Sequence, residues 1–345
     1  MKFDVVIGNP PYQETLPGDN DTYSRPIYHL FMDLSYGLSE KVVLITPARF
    51  LFNAGSTPVA WNRKMLHDKH LRVVKYEPTS SNIFPHTDIK GGVAITLRDT
   101  EQNFGEVGTF TAYDELKTII SKVRSLHSQS FSTCMYAPEA YKFTSEMHSK
   151  NPRVEKMLSR GHANDLKSNV LDKLSGIIFF DRKPSDKNKY IQILGLKNKK
   201  RSIMWIDSSF ISFPENFLKY KVFLPKSNGN GNFGERLSAP IVGKPGLGAT
   251  QTFMSIGKLD SEDEAKAVVK YIQSKFVRAL LGVLKVTQDN PASKWSEVPM
   301  QDFSTNSDID WKQSVSEIDR QLYVKYGLSE SEINFIESTV QEMKL

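Results

Sequence analysis

Four consecutive residues near the start of the chain, Asn9-Pro10-Pro11-Tyr12, carry groups suited to holding an amine. The asparagine offers a side-chain carbonyl, and the Asn-Pro backbone offers a second one for which no proline N–H can compete. Two consecutive prolines restrict the backbone on both sides of the turn, so the two acceptors stay fixed relative to one another. Convergent acceptors suit the two hydrogens of an exocyclic NH2. A nitrogen held in that way is less delocalised into its ring and more available to attack an electrophile such as a methyl sulfonium. Tyr12 adds a flat face on which the ring bearing the amine can rest.

Such a motif works only if an element aims it. The residues before it, FDVVIG, read as a strand, which places the turn at a strand's carboxyl end, where doubly wound sheets put their ligands. Strands are expected at Phe3 to Ile7, Lys41 to Thr46, Leu71 to Tyr76 and Gly92 to Leu97. Helices are expected over Pro26 to Leu38, with Ile27, Leu30, Phe31 and Leu34 as its apolar face, and over Val59 to Lys69. The last two strands leave no room for a crossover helix and should pair antiparallel, with Thr87 to Gly92 as a tight hairpin and Asp88 and Lys90 at its mouth. Beyond residue 100 the pattern changes to short strands broken by turns, then to a long amphipathic helix over Glu262 to Leu284. A last helix has Ser329 as its cap and Glu332 three residues on.

The chain has 345 residues, 39% of them hydrophobic and 11% aromatic, which excludes a disordered or fibrous protein and leaves room for about two domains. A net charge of +6 is compatible with nucleic acid without requiring it. Cys134 is the single cysteine, so neither an internal disulfide nor a zinc cage can form. No stretch approaches the roughly 18 apolar residues that span a bilayer, and no charged-then-apolar leader precedes the first strand; a cytoplasmic protein without a membrane role is expected. The seven histidines show no metal spacing, and no metal is expected.

FDVVIGNPPY resembles the catalytic motif of S-adenosylmethionine-dependent N6-adenine methyltransferases, specifically those of bacterial type II restriction-modification systems. The resemblance continues through RPIYHLFMDLSY, KVVLITPARFLFNAG and SSNIFPHTDIKGGVAITL, and returns from GLGATQTFMSIGKLD to LYVKYGLSESEINFIE. It implies an α/β chain: a partial Rossmann-like methyltransferase sheet, the adenine-binding half, followed by an α+β target-recognition domain. The implied boundaries are a catalytic half-domain at 1–110, a DNA-binding region at 111–300 and a helical tail at 301–345. Asn9 and the Pro10 carbonyl would polarise the adenine amine, Pro11 would complete the turn, and Tyr12 and Phe84 would stack on an adenine flipped out of double-stranded DNA. Arg182, Lys183, Lys187, Lys189, Lys197, Lys199, Lys200 and Arg201, close to Phe179, Phe180, Tyr190 and Trp205, would contact the target duplex.

In that family the methyl donor binds at a glycine-rich turn and an acidic residue upstream of NPPY, and here eight residues precede Asn9. The expectation is therefore an incomplete S-adenosylmethionine site in this chain, which is read either as a fragment of a longer enzyme or as one completed by an upstream-encoded polypeptide, with a restriction endonuclease as the alternative partner. The turn with Gly243, Gly246 and Gly248 is read as an ordinary glycine-rich turn and not as a donor site, because Pro245 interrupts it. Glu264-Ala265-Lys266 near Asp260 is read as a helix start and not as a nuclease centre. Two alternatives stay open: methylation of a glutamine amide in a protein, and a non-catalytic DNA-binding or specificity subunit, or inactive remnant, that keeps NPPY without a donor site.

Overall fold

The structure, a computed structural model, describes residues 3–15, 24–126 and 129–343. It is a mixed α/β chain with several small sheets, and it separates into two compact units. The first comprises residues 1–117 together with 230–233 and 282–287; the second comprises the remainder.

The first unit is built on β1 (Phe3–Gly8), the short pair β2 (Gln13–Thr15) and β3 (Ser24–Pro26), α1 (Tyr28–Leu38), β4 (Ser39–Pro47), α2 (Val59–Leu66), β5 (Leu71–Glu77) and β6 (Val93–Asp99). Its main sheet has the order β1-β4-β6-β5. β1 runs parallel to β4, with Ile7 opposite Val43, and β6 is antiparallel to both β4 and β5. The expected antiparallel pairing of the last two strands is therefore observed. Their connection is not a tight hairpin, however: it runs from Pro78 to Gly92 and contains the 3-10 turn Ser80–Asn82.

These directions decide where loops meet. With β1 and β4 parallel, their carboxyl ends share one edge of the sheet, and the register Pro47 to Val93 brings the start of β6 to the same edge. Glu77 at the end of β5 also faces Val93. The turn after β1, the turn after β4 and the long β5–β6 connection all emerge together.

The core of this unit gathers Met32, Val42, Leu44, Phe50, Met65 and Leu71 with Tyr28 and Trp61. Asp33 ties the two helices, accepting from Trp61 Nε1 at 2.9 Å and from Lys64 Nζ at 2.9 Å. The face of α1 that buries differs from the expected one. Tyr28, His29 and Met32 point inward, while Leu30 and Leu34 are 48% and 65% exposed. Periodicity reveals an apolar stripe but not which stripe the sheet covers, and α1 lies on β4 through the aromatic one. β1, the edge strand, leaves Phe3, Val5 and Ile7 exposed on one face, Ile7 by 77%, while Val6 packs toward the core.

The second unit holds a hairpin of strands Tyr190–Lys197 and Lys200–Asp207, extended by Leu247–Ala249, and a four-stranded sheet centred on Tyr220–Pro225 and Phe253–Leu259. The expected long helix is two helices, Glu262–Gln273 and Lys275–Gly282, broken at Ser274 with ψ 147. Asp319 stabilises the break by accepting from the backbone N–H groups of Lys275 at 3.0 Å and Phe276 at 2.9 Å. The last helix, Glu330–Thr339, carries the expected capping box of Ser329 and Glu332.

Candidate functional site

Asn9, Pro10, Pro11, Tyr12 and Phe84 line one cavity of ≈ 600 Å³ at the shared edge of the first unit's sheet. That volume lies within the usual range of small-ligand sites, about 300–1,000 Å³. Asn9 is exposed and Pro10 half-buried, and both line the cavity. The Tyr12 carbonyl accepts from the N–H of Ile27 at 3.1 Å, which pins the turn to the start of α1. The Tyr12 hydroxyl reaches back to the carbonyl of Ile45 in β4 at 3.5 Å, and burial pushes its pKa up to about 12.

Phe84 comes from the β5–β6 connection. Its N–H donates to the Ser80 carbonyl at 2.8 Å, and its own carbonyl accepts from the Thr87 hydroxyl at 2.7 Å. The Ser80 hydroxyl closes the loop by donating to the Thr87 carbonyl and accepting from the N–H of Ile89. Gly92 holds the far end: with φ +73, a Cβ there would stand 2.3 Å from the Glu77 carbonyl oxygen. The Tyr12 and Phe84 rings approach to 6.4 Å between centroids at 66°. A base stacked between two rings needs both of them parallel to its own plane, so an incoming ring must turn one of the two.

The structure also brings to this cavity Tyr28, Arg49 and Thr57, for which the sequence suggests no role in it, together with Thr87, Asp88 and Ile89. The first half of the Thr87 to Gly92 stretch thus lines the cavity instead of forming a tight hairpin, with Asp88 paired to Lys90 at 2.7 Å. Arg49 follows the strand-ending Pro47 by two residues; that position at a sheet's carboxyl edge is the signal by which it could have been found.

The eight basic residues lie in the second unit; Lys189 and Lys199 sit towards opposite ends of one strand, while Arg182 follows Asp181, the ion-pair partner of Lys197 near the turn. Arg182, Lys183, Lys187 and Lys189 are exposed on the segment leading into the first hairpin strand. Lys197, Lys199, Lys200 and Arg201 surround its turn, at the other end of that eight-residue strand. Lys189 and Lys199 are consequently about 26 Å or more apart along the strand at roughly 3.3 Å per residue. Lys197 is committed to Asp181 at 2.7 Å, and Arg201 donates to the Ala239 carbonyl at 3.1 Å. Lys183 stands over the Trp205 ring at 5.9 Å. Asn198 and Lys199 form the turn with φ 51 and 61. Ile203 is exposed and Trp205 half-buried on the hairpin's outer face, opposite the core residues Met204 and Ile206.

The glycine-rich turn is shaped by packing. A Cβ on Gly243 would meet the Phe223 ring at 2.5 Å, and one on Gly248 would meet Ile193 and Tyr141 at 2.8 and 2.9 Å. Gly246, between them, has φ +82 and open space around it. Glu264 accepts from the Asp260 N–H at the start of its helix, and Lys219 pairs with Asp260. Among the described residues no group of three or more His, Cys, Asp or Glu could hold a metal. No helix among them is long and apolar enough to cross a membrane.

Comparison with known proteins adds the following. Residues 1–84 match the family model of the Eco57I restriction-modification methylase. An uncharacterized adenine-specific methylase of Mycoplasma pneumoniae (strain ATCC 29342 / M129 / Subtype 1) is 32% identical over 99 residues, 28% of this chain and 24% of that protein. The chain thus spans about a quarter of that relative's length. Two solved structures are similar in shape. The type IIL restriction-modification enzyme MmeI in complex with DNA has a TM-score of 0.42 at 9% identity, covering 97% of this chain and 56% of that one. The type IIG restriction endonuclease BpuSI has a TM-score of 0.32 at 10% identity, covering 97% of this chain and 53% of that one. Asn9, Tyr12, Arg49 and Phe84, which line the cavity, all lie within residues 1–84, the segment matched to the Eco57I restriction-modification methylase family model.

Proposed function

We propose that this chain carries the adenine-binding and target-recognition part of a DNA methyltransferase of a restriction-modification system, acting at the N6 amine of an adenine flipped out of double-stranded DNA. The observation that carries the reading is the convergence of Asn9, Pro10, Tyr12 and Phe84 on one cavity within the matched segment. Asn9 and the Pro10 carbonyl orient the amine and accept its two hydrogen bonds. Tyr12 and Phe84 support the ring and exclude water from it. Holding the nitrogen against an approaching methyl group supplies most of the rate gain, since the chemistry requires alignment more than activation.

S-adenosylmethionine is the methyl donor in this reading, bound by a polypeptide segment that covers β1. The exposed apolar face of Phe3, Val5 and Ile7 on an unpaired strand edge supports such a cover. The hairpin of the second unit takes the target-recognition role, with Lys199, Lys200 and Lys189 at the phosphates.

The test is methyl transfer to mixed-sequence duplex DNA, read as 6-methyladenine by mass spectrometry after digestion. The chain is assayed alone and with the polypeptide encoded next to it. Methylated adenine that disappears in Asn9→Ala supports the proposal. DNA binding without any 6-methyladenine under either condition would reduce the chain to a binding subunit.

A further inference from the structure

Among the polar residues of the NPPY cavity that have no part in holding an adenine amine is one guanidinium, that of Arg49. Arg49 is held from three sides. Its stem lies against Gly55 and Gly91, where a Cβ would stand 3.1 Å from its Cδ and 3.0 Å from its Cγ, and both glycines keep φ above +80. Its Nε donates to the Lys90 carbonyl at 2.6 Å. The guanidinium's terminal N–H groups are left without a partner among the described residues. Asp88, the acid that lines the same cavity, is engaged by Lys90.

Tyr28 backs this wall: it is 2% exposed and its hydroxyl has no accessible surface, so it supports the cavity without reaching a ligand. The Thr57 hydroxyl has already spent its hydrogen on Asn62 Oδ1 at 2.8 Å. What remains at this wall is a fixed cation, whose guanidinium fork matches an acceptor-rich anion and which a neutral base does not need.

We propose that Arg49 binds a phosphate flanking the target adenosine, so that the cavity receives a nucleotide and not a base alone. The inference rests on the adenine reading above and deepens it. It also separates nucleic acid from a protein amide, because a glutamine side chain brings no phosphate to this wall.

The probes are 2′-deoxyadenosine, its 5′-monophosphate, its 3′-monophosphate and inorganic phosphate, each titrated by calorimetry into the full chain. One monophosphate is expected to bind on the order of tenfold or more tightly than the nucleoside, the scale of a hydrogen bond to a charged group. Arg49→Gln abolishes that ratio, and Arg49→Lys restores part of it by keeping the charge without the fork. Asn9→Ala weakens nucleoside and nucleotide together and preserves the ratio. Equal affinity for the nucleoside and both monophosphates, a ratio that survives Arg49→Gln, or inorganic phosphate binding as tightly as the nucleotide would overturn the proposal. A phosphate preference that needs Arg49, in a cavity where Asn9→Ala and Tyr12→Ala change nothing, would leave the phosphate site standing and remove the adenine reading instead.

Discussion

The Tyr12 and Phe84 rings face each other edge-on across the cavity, 6.4 Å between centroids and 66° between planes. Tyr12 is tethered through its hydroxyl to Ile45 and through its carbonyl to Ile27, whereas Phe84 hangs from a loop held by Ser80 and Thr87. Phe84 is therefore the less tethered of the two rings. Tyr12→Ala and Phe84→Ala should each weaken 2′-deoxyadenosine binding by about 1–3 kcal/mol, the value of one base–aromatic stack. Calorimetric titration checks this, and an undiminished affinity in both variants would remove the stacking role.

Tyr12 also makes a pH prediction. Its folded pKa of about 12 exceeds the ordinary value of 10.0, so the protonated phenol is the form the fold favours. The stability it contributes is present below pH 10.0 and is lost as pH rises toward 12. Nucleoside affinity should accordingly stay flat from neutral pH up to about pH 10, and Tyr12→Phe should stay flat beyond it.

Gly92→Ala places a Cβ 2.3 Å from the Glu77 carbonyl in a left-handed backbone. A loss of more than about 1 kcal/mol in urea unfolding is expected. Nucleoside binding should fall as well, because the displaced loop carries Phe84. Full stability in this variant would show that the β5–β6 connection is not braced there.

In the second unit, burial raises the Asp319 pKa to about 6, against the hydrogen bonds from Phe276 and Lys275 and against Arg278, with Glu337 adding to the rise. A raised carboxyl pKa means that the folded state binds the proton more tightly than the unfolded one. Its contribution is full below the ordinary carboxyl range and is lost as pH rises to about 6, by roughly 3 kcal/mol at 1.36 kcal/mol per unit. Unfolding of Asp319→Asn should lose this slope between pH 4 and pH 6. An unaltered slope would place the titrating group elsewhere.

The basic residues predict a salt dependence. Lys199 and Lys200 are exposed and not among the ion-paired side chains, while Lys197 is occupied by Asp181. Replacing Lys199 and Lys200 by Ala should lower the slope of log affinity for duplex DNA against log salt by about 2, near 0.9 per phosphate contact. Lys197→Ala should change it much less.

The four strands of the first unit's main sheet, the antiparallel final pair and the cap at Ser329 were readable because each is written in local pattern: alternation, loop length, and a serine three residues before a glutamate. The meeting of Tyr12 and Phe84 was readable only through the family's motif order. Arg49 was not, since an arginine after a strand looks like any solvated residue until Gly55 and Gly91 close on its stem. The break at Ser274 has neither proline nor glycine to announce it. Its support comes from Asp319, more than forty residues away, and no window on the sequence joins the two.

The turn at Asn198 and Lys199 is a two-residue connection in which both residues take left-handed angles. Its tip is thus an exchangeable cassette: Asn-Gly fits the same geometry, so the charge of Lys199 can be swapped without disturbing the strands. The length is a different matter. One residue more or fewer would rotate Arg201, Ile203 and Trp205 inward and bring Met204 and Ile206 to the surface, so any re-engineering of this arm must conserve its count before its chemistry.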